Sequence, residues 1–133
     1  MLLRLKLSAV CRTIGLTCVI FLFGCASNND PTSSWTVQKL YQEAKDEMSA
    51  GAYDKAIGYY EKLEGRAAGT PLAQQAQLDK AWAQYKTNEP IQAIATLDRF
   101  IKLHPASPAL DYALYLKGLV NFNDTLGLFS SLA

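Results

Sequence analysis

The thiol best placed to do chemistry is Cys25, at the end of Leu22-Phe23-Gly24-Cys25. A cysteine that closes an apolar run behind a small residue would bring a thiol nucleophile to a membrane surface. Other reactive residues are sparse. His104 is the only histidine and stands before Pro105, where a structural role is expected. Glu43, Asp46, Glu47 and Asp54 are interspersed with Lys39, Lys45 and Lys55, which is how a solvated helix face looks rather than a metal or acid/base pair. No glycine-rich phosphate loop is present. The expectation is a non-enzymatic protein without a metal.

The residues before Cys25 fit this chemistry. Arg4, Lys6 and Arg12 lead into an apolar run from Ile14 to Phe23, the charged-then-apolar layout of an export signal. Ten residues are too few to cross a bilayer, which takes roughly twenty. Leu22 to Cys25 resembles the lipobox of bacterial lipoproteins. That resemblance implies removal of residues 1–24 and anchoring through a diacylglycerol and an N-acyl chain on Cys25, the only covalent cofactors expected. Two or more chains hold stably where one holds weakly. Ala26, not aspartate, follows the cysteine; by resemblance to enteric lipoproteins this implies the outer membrane.

Residues 25–35 form a polar stretch with one proline, which reads as a flexible tether because it has too little apolar surface to offset its ordering entropy. From residue 25 onward ten Lys/Arg face twelve Asp/Glu. That balance argues against a nucleic-acid partner, which calls for a basic patch. Cys11 and Cys18 would leave with the signal, so the exported domain has no disulfide and must be held by packing.

Beyond Thr36 no alternating β-branched run appears, and the pattern is helical. Five helices are expected at about 36–49, 54–65, 71–87, 90–103 and 108–123. They repeat with a period of 37: Thr70-Pro71 returns as Ser107-Pro108, Ala44 as Ala81 and Gly118, Gly51 as Asn88, Ala56 as Ala93, and Tyr41 as Leu78 and Tyr115. Thr70 and Ser107 are expected as N-caps with proline at the first helical position. Gly51 and Asn88 are expected to end helices in the left-handed conformation. Ala44, Ala81, Gly118, Ala56 and Ala93 would let paired helices approach, with Tyr60, Leu63, Leu97 and Phe100 filling the space beside them. The repeats run 36–69, 70–106 and an incomplete 107–123. Residues 124–133 read as a truncated end.

The small–small–aromatic spacing from Ala44 through Ala56 to Tyr60 resembles the tetratricopeptide repeat, whose period of about 34 is lengthened here. The fold expected is therefore an all-α solenoid of helical hairpins. Two segments are more specific. Asp98-Arg99-Phe100-Ile101-Lys102-Leu103-His104-Pro105 and Asp111-Tyr112-Ala113-Leu114-Tyr115-Leu116-Lys117-Gly118-Leu119 resemble the BamD/ComL family of β-barrel assembly lipoproteins. The resemblance implies a five-repeat lipoprotein, anchored at the periplasmic face of the outer membrane, that serves the machine inserting β-barrel proteins. Implied partners are the central barrel subunit, other lipoproteins of the machine, unfolded barrel precursors and outer-membrane lipid. The half that docks on the central subunit would lie beyond Ala133. The other reading is a pilotin-like lipoprotein escorting a secretin or pilus component, which the two segments disfavour.

In tetratricopeptide folds the first helix of each pair lines a concave groove. On those helices Tyr41, Leu78, Trp82, Tyr85, Tyr115 and Leu119 form an aromatic stripe, with Tyr112 and Phe122 beside it. They are the candidate contacts for an extended segment of a barrel precursor, with Trp82 the one most expected to be exposed. The opposing expectation is that the stripe packs as core.

Overall fold

The computed structural model describes residues 30–130, and side chains as far as Asp124. The expected leader 1–24, Cys25 and the first tether residues lie outside the described residues. The chain divides into two units, Met1–Ser33 and Ser34–Ala133. In the described part of the first unit, the Asp30 carboxylate accepts from the Thr32 amide (2.9 Å) and hydroxyl (2.8 Å), closing a turn.

The second unit consists of α1 (Val37–Ser49), α2 (Tyr53–Arg66), α3 (Pro71–Lys86), α4 (Pro90–Leu103) and α5 (Leu110–Ser130), with no strand among the described residues. Each helix packs on the next in the chain, and α3 also touches α5. This is the expected all-α, tetratricopeptide-like arrangement of hairpins.

Local chemistry sets most of the boundaries. Thr36 and Thr70 each accept a hydrogen bond from an amide in the first turn, of Lys39 (3.1 Å) and Ala73 (3.2 Å), and Pro71 opens α3 where no amide is needed. Both hairpins reverse through the same device. After α1, Gly51 has φ 77°, its amide donates to the Met48 carbonyl at 3.1 Å, and the Ala52 amide donates to the Glu47 carbonyl at 2.9 Å. After α3, Asn88 has φ 63°, with matching bonds from Asn88 to Tyr85 (3.1 Å) and from Glu89 to Gln84 (2.9 Å). These 5→2 and 6→1 pairs take up orphan carbonyls and need a residue that tolerates the left-handed region. Gly69, at φ 80°, turns the corner between the hairpins.

Two boundaries and one predicted contact depart from the sequence expectation. Ser107 is not the N-cap of the last helix. Its hydroxyl donates to Gln74 Oε1 (2.9 Å) and accepts from the Ala109 amide (3.3 Å), so Pro108 lies in a turn and α5 begins at Leu110. The helix also does not end near 123 but runs to Ser130, a stretch with one glycine and no proline. Gly118, expected at a helix contact, is exposed, and a Cβ built there would meet nothing within 4 Å.

The interior consists of two clusters. Leu40, Ala44, Ala56, Tyr60 and Leu63 form the first, and Leu78, Ala81, Ala93, Leu97, Phe100, Ala113, Leu116 and Val120 the second. The four alanines at the predicted close approaches are fully buried, as are Tyr60, Leu63, Leu97 and Phe100. The contrast between Ala93 and Gly118 gives a test. Ala93→Leu should destabilise by about 1–3 kcal/mol through overpacking. Gly118→Ala should instead stabilise by up to about 1 kcal/mol through helix propensity. Urea unfolding followed by circular dichroism measures both.

Candidate peptide-binding face

The helix α3 positions the centre of the candidate site because it is covered from both sides. Its buried residues include Gln77, Lys80 and Gln84 as well as its alanines and Leu78. Each polar one is taken up. Lys80 Nζ lies 2.7 Å from Glu64 Oε1, and Gln84 Oε1 accepts from the Thr96 hydroxyl at 2.8 Å. Gln77, with its amide oxygen toward α4, accepts from Arg99 Nε at 3.0 Å. Arg99 also donates to Glu64 Oε2 at 2.8 Å.

With these residues turned inward, the first helices of the hairpins present a shared side. Tyr41 on α1 is half-buried and donates its hydroxyl to Asp79 Oδ2 on α3 at 3.1 Å. Gln75 Nε2 donates to Asp79 Oδ1 at 3.0 Å, and Lys45 Nζ lies 3.8 Å from Oδ2. The Tyr60 ring lies 6.2 Å from that of Tyr41. Burial, then the Asp79 charge, pushes the Tyr41 phenol up to about 12. The same two causes, in the same order, raise Tyr60 on α2 and Tyr112 on α5. Asp79 is thus bonded to Tyr41 of α1, and its charge also acts on Tyr60 of α2 and Tyr112 of α5.

Among the predicted site residues, Leu78 does not belong to this surface. It is 1% exposed and packs in the second cluster, because it faces α4. Trp82 and Tyr85 are half-buried and pack on that cluster, with ring centroids 5.3 Å apart and Lys86 Nζ 5.7 Å from the Trp82 ring. Tyr85 also accepts from Asn123 Nδ2 at 2.9 Å and borders an open depression of about 420 Å³ with Asn88, Pro90 and Val120. Leu119 is half-buried against the second cluster, and Tyr115 is 65% exposed, its ring 6.5 Å from Tyr112. Cys25 lies outside the described residues. Asp79 is the residue that the sequence reading missed; an acid between Leu78 and Trp82 of the candidate stripe was the available signal.

His104 packs its ring 5.1 Å from Phe100. No group of three His, Cys, Asp or Glu among the described residues is placed to hold a metal ion. No helix among them is long and apolar enough to cross a membrane.

Fold and surface together define a helical-hairpin repeat protein with a tyrosine-rich face around one carboxylate. A family described as an outer membrane lipoprotein, YfiO, matches residues 34–131. Curated relatives carry the name outer membrane protein assembly factor BamD. That of Neisseria meningitidis serogroup B is 49% identical over 102 residues, 77% of this chain and 38% of the relative. That of Vibrio cholerae is 34% identical over 107 residues, 80% of this chain and 44% of the relative. That of Haemophilus influenzae is 31% identical over 106 residues, 80% and 40% of the two chains. The chain belongs to the YfiO family of outer membrane lipoproteins. It spans about two-fifths of the length of these relatives.

The tyrosine–aspartate cluster has a pH signature. A phenol raised from an unfolded value of about 10 to about 12 contributes stability that is complete below the unfolded value. That contribution is lost as pH rises through the folded one. Melting temperature should stay level up to about pH 10 and fall above it, and fall less steeply in Asp79→Asn. Thermal melts across the alkaline range check this; identical slopes in the two proteins would remove Asp79 from the account.

Proposed function

We propose that this chain is a lipid-anchored scaffold in the assembly of outer membrane proteins, with Cys25 carrying the diacylglycerol and N-acyl chains. Its helical domain receives β-barrel precursors at the periplasmic face of the outer membrane. It does this without chemistry of its own, as one subunit of an assembly machine. The observation that supports the reading best is the first-helix surface, where Tyr41 of α1 bonds Asp79 of α3 and Trp82 and Tyr85 lie half-buried on α3 with their rings 5.3 Å apart, on a chain of an outer-membrane lipoprotein family.

Physically, such a surface suits an extended aromatic segment. Half-exposed rings offer large contact area at small entropic cost, and a single carboxylate fixes register by accepting from a donor on the ligand. The names of the relatives supply the setting, outer membrane protein assembly. Association with other lipoproteins of the machine follows from the family resemblance and is part of the same proposal.

Three experiments test it. A photo-crosslinking residue in place of Trp82, in the protein within its own envelope, should give adducts to nascent barrel proteins, identified by mass spectrometry. Adducts confined to a secretin or pilus subunit would replace the assembly reading with an escort role. Trp82→Ala should cut precursor capture about tenfold, a loss of one well-packed ring, while leaving helix content intact. Separately, Cys25→Ala should shift the protein out of the membrane fraction on sucrose-gradient fractionation.

A further inference from the structure

Two cross-links join neighbouring first helices, each between a tyrosine hydroxyl and a side chain 38 residues away. Between α1 and α3, Tyr41 donates to Asp79. Between α3 and α5 the tyrosine accepts instead: Asn123 Nδ2 donates to the Tyr85 hydroxyl at 2.9 Å and to the Leu119 carbonyl at 3.1 Å. A carbonyl can only accept, so the second bond fixes which end of the Asn123 amide is the nitrogen. Both hydrogens of Nδ2 are thus used, while no hydrogen bond from a described residue reaches Oδ1. The Tyr85 hydroxyl, having accepted, keeps its own hydrogen to give. An acceptor and a donor therefore stand side by side, held there by the bond between their residues. Both residues are half-buried and line the open depression of about 420 Å³, a volume within the range of ligand sites. The charged residues of its lining, Lys86 and Asp124, are exposed and opposite in sign. Lys86 Nζ lies 5.7 Å from the Trp82 ring and 5.9 Å from that of Tyr53. The depression thus favours neither an acid nor a base, and its paired acceptor and donor call for a neutral group that both donates and accepts.

We infer that Asn123 and Tyr85 hold the main chain of an extended peptide, with Asn123 Oδ1 accepting from a backbone N–H and the Tyr85 hydroxyl donating to a backbone carbonyl. The N–H and C=O of one strand residue leave on the same side, which is why opposed residues of an antiparallel ladder exchange both bonds. Every residue except proline carries the pair, so this contact is blind to sequence. Selection is left to the side chains, which meet the Trp82 ring beside the depression, 5.3 Å from that of Tyr85. Spacing along the face agrees with an extended ligand. Tyr85 lies six residues beyond Asp79 on α3, a rise of about 9 Å. With packed helices roughly 10 Å apart, the two cross-links are separated by about 13 Å. That is about four residues of strand, an even number, so one side of a strand can meet both. The inference rests on the reading of this face as the receiver of barrel precursors, and it names the part of the precursor that is held.

The test uses the full chain and a blocked, fluorescein-labelled peptide alternating Phe with Thr, read by fluorescence anisotropy. Analogues replace one backbone amide at a time by an ester, which removes an N–H and leaves every side chain in place. One interior ester should weaken binding to the unaltered protein about threefold to tenfold, the worth of one hydrogen bond. Asn123→Ala should weaken the parent peptide by a similar factor and lose nothing more with that ester, because the partner of the N–H is already gone. Tyr85→Phe, which keeps the ring and removes only the hydroxyl, should also weaken the parent peptide, and circular dichroism checks the fold of each variant. Parent binding unchanged in both folded variants, or an ester loss of the same size in Asn123→Ala as in the unaltered protein, overturns the inference. Trp82→Ala separates it from the reading on which it rests. Binding that depends on Trp82 but not on Asn123 or Tyr85 leaves the receiving face standing and removes the main-chain contact; a parent peptide that the unaltered protein does not bind removes both.

Discussion

The structure depends on how closely two helices of a hairpin can approach. A helix with one apolar stripe is unstable alone and gains most of its stability from the surface it covers. Ala44 and Ala56 in the first cluster, and Ala81 and Ala93 in the second, are fully buried. Side chains this small bring the backbones together, so that Tyr60, Leu63, Leu97 and Phe100 close the space on either side. The Schellman turns at Gly51 and Asn88 serve the same end. They set the reversal of the chain so that each alanine meets its partner helix. Two turns of one geometry, 37 residues apart, make two hairpins of one shape, and like shapes can stack.

Stacking puts α3 between neighbours on both sides, which explains why its sequence looks only weakly amphipathic. A helix buried nearly all round must pair whatever polar groups it carries, since an unpaired buried charge costs several kcal/mol. Lys80 with Glu64, Gln84 with Thr96, and Gln77 with Arg99 are those pairs. Breaking any of them leaves a buried group unsatisfied, so they constrain register more than they add stability. The two segments that resemble the family take part directly. Arg99 joins α4 to α2 and α3, Phe100 is core, and Asp98 forms an ion pair with Lys117 of the second segment. Much of that fingerprint is therefore the chemistry of stacking helices in one register.

This also explains what could be read in advance. Helix existence, the hairpin repeat, the alanine approaches and both left-handed turns follow from residue type and spacing, because caps, small residues and glycine act locally. The start of α5 was misread for a non-local reason: Ser107 bonds Gln74, 33 residues away. Leu78 was misplaced because a stripe on one helix does not reveal that a second neighbour covers it. Asp79 was missed because its meaning lies in Tyr41, Tyr60 and Tyr112, on three other helices. Its own neighbours in sequence, Leu78 and Lys80, say nothing of those tyrosines.

The repeat itself sorts the remaining aromatics of α5. Leu114, Tyr115 and Gly118 occupy the positions of Leu40, Tyr41 and Ala44 in the first hairpin and of Gln77, Leu78 and Ala81 in the second. In those hairpins the set is buried or half-buried against the helix that follows; in α5 Leu114, Tyr115 and Gly118 are exposed. By period these three make a helix-packing face, and Gly118 falls where a facing backbone would come closest. Tyr112 lies at a different position in the repeat, that of Gln38 and Gln75, and the field of Asp79 reaches it. Exposure alone would group Tyr112 with Tyr115, yet the repeat separates them. Tyr115 has the position of a residue that packs against a following helix, and Tyr112 that of a residue on the side shared by α1, α3 and α5. The proposed ligand-facing surface therefore keeps Tyr112 and leaves out Tyr115, and Tyr41, which shares the repeat position of Tyr115, borders it through the hydroxyl that it donates to Asp79.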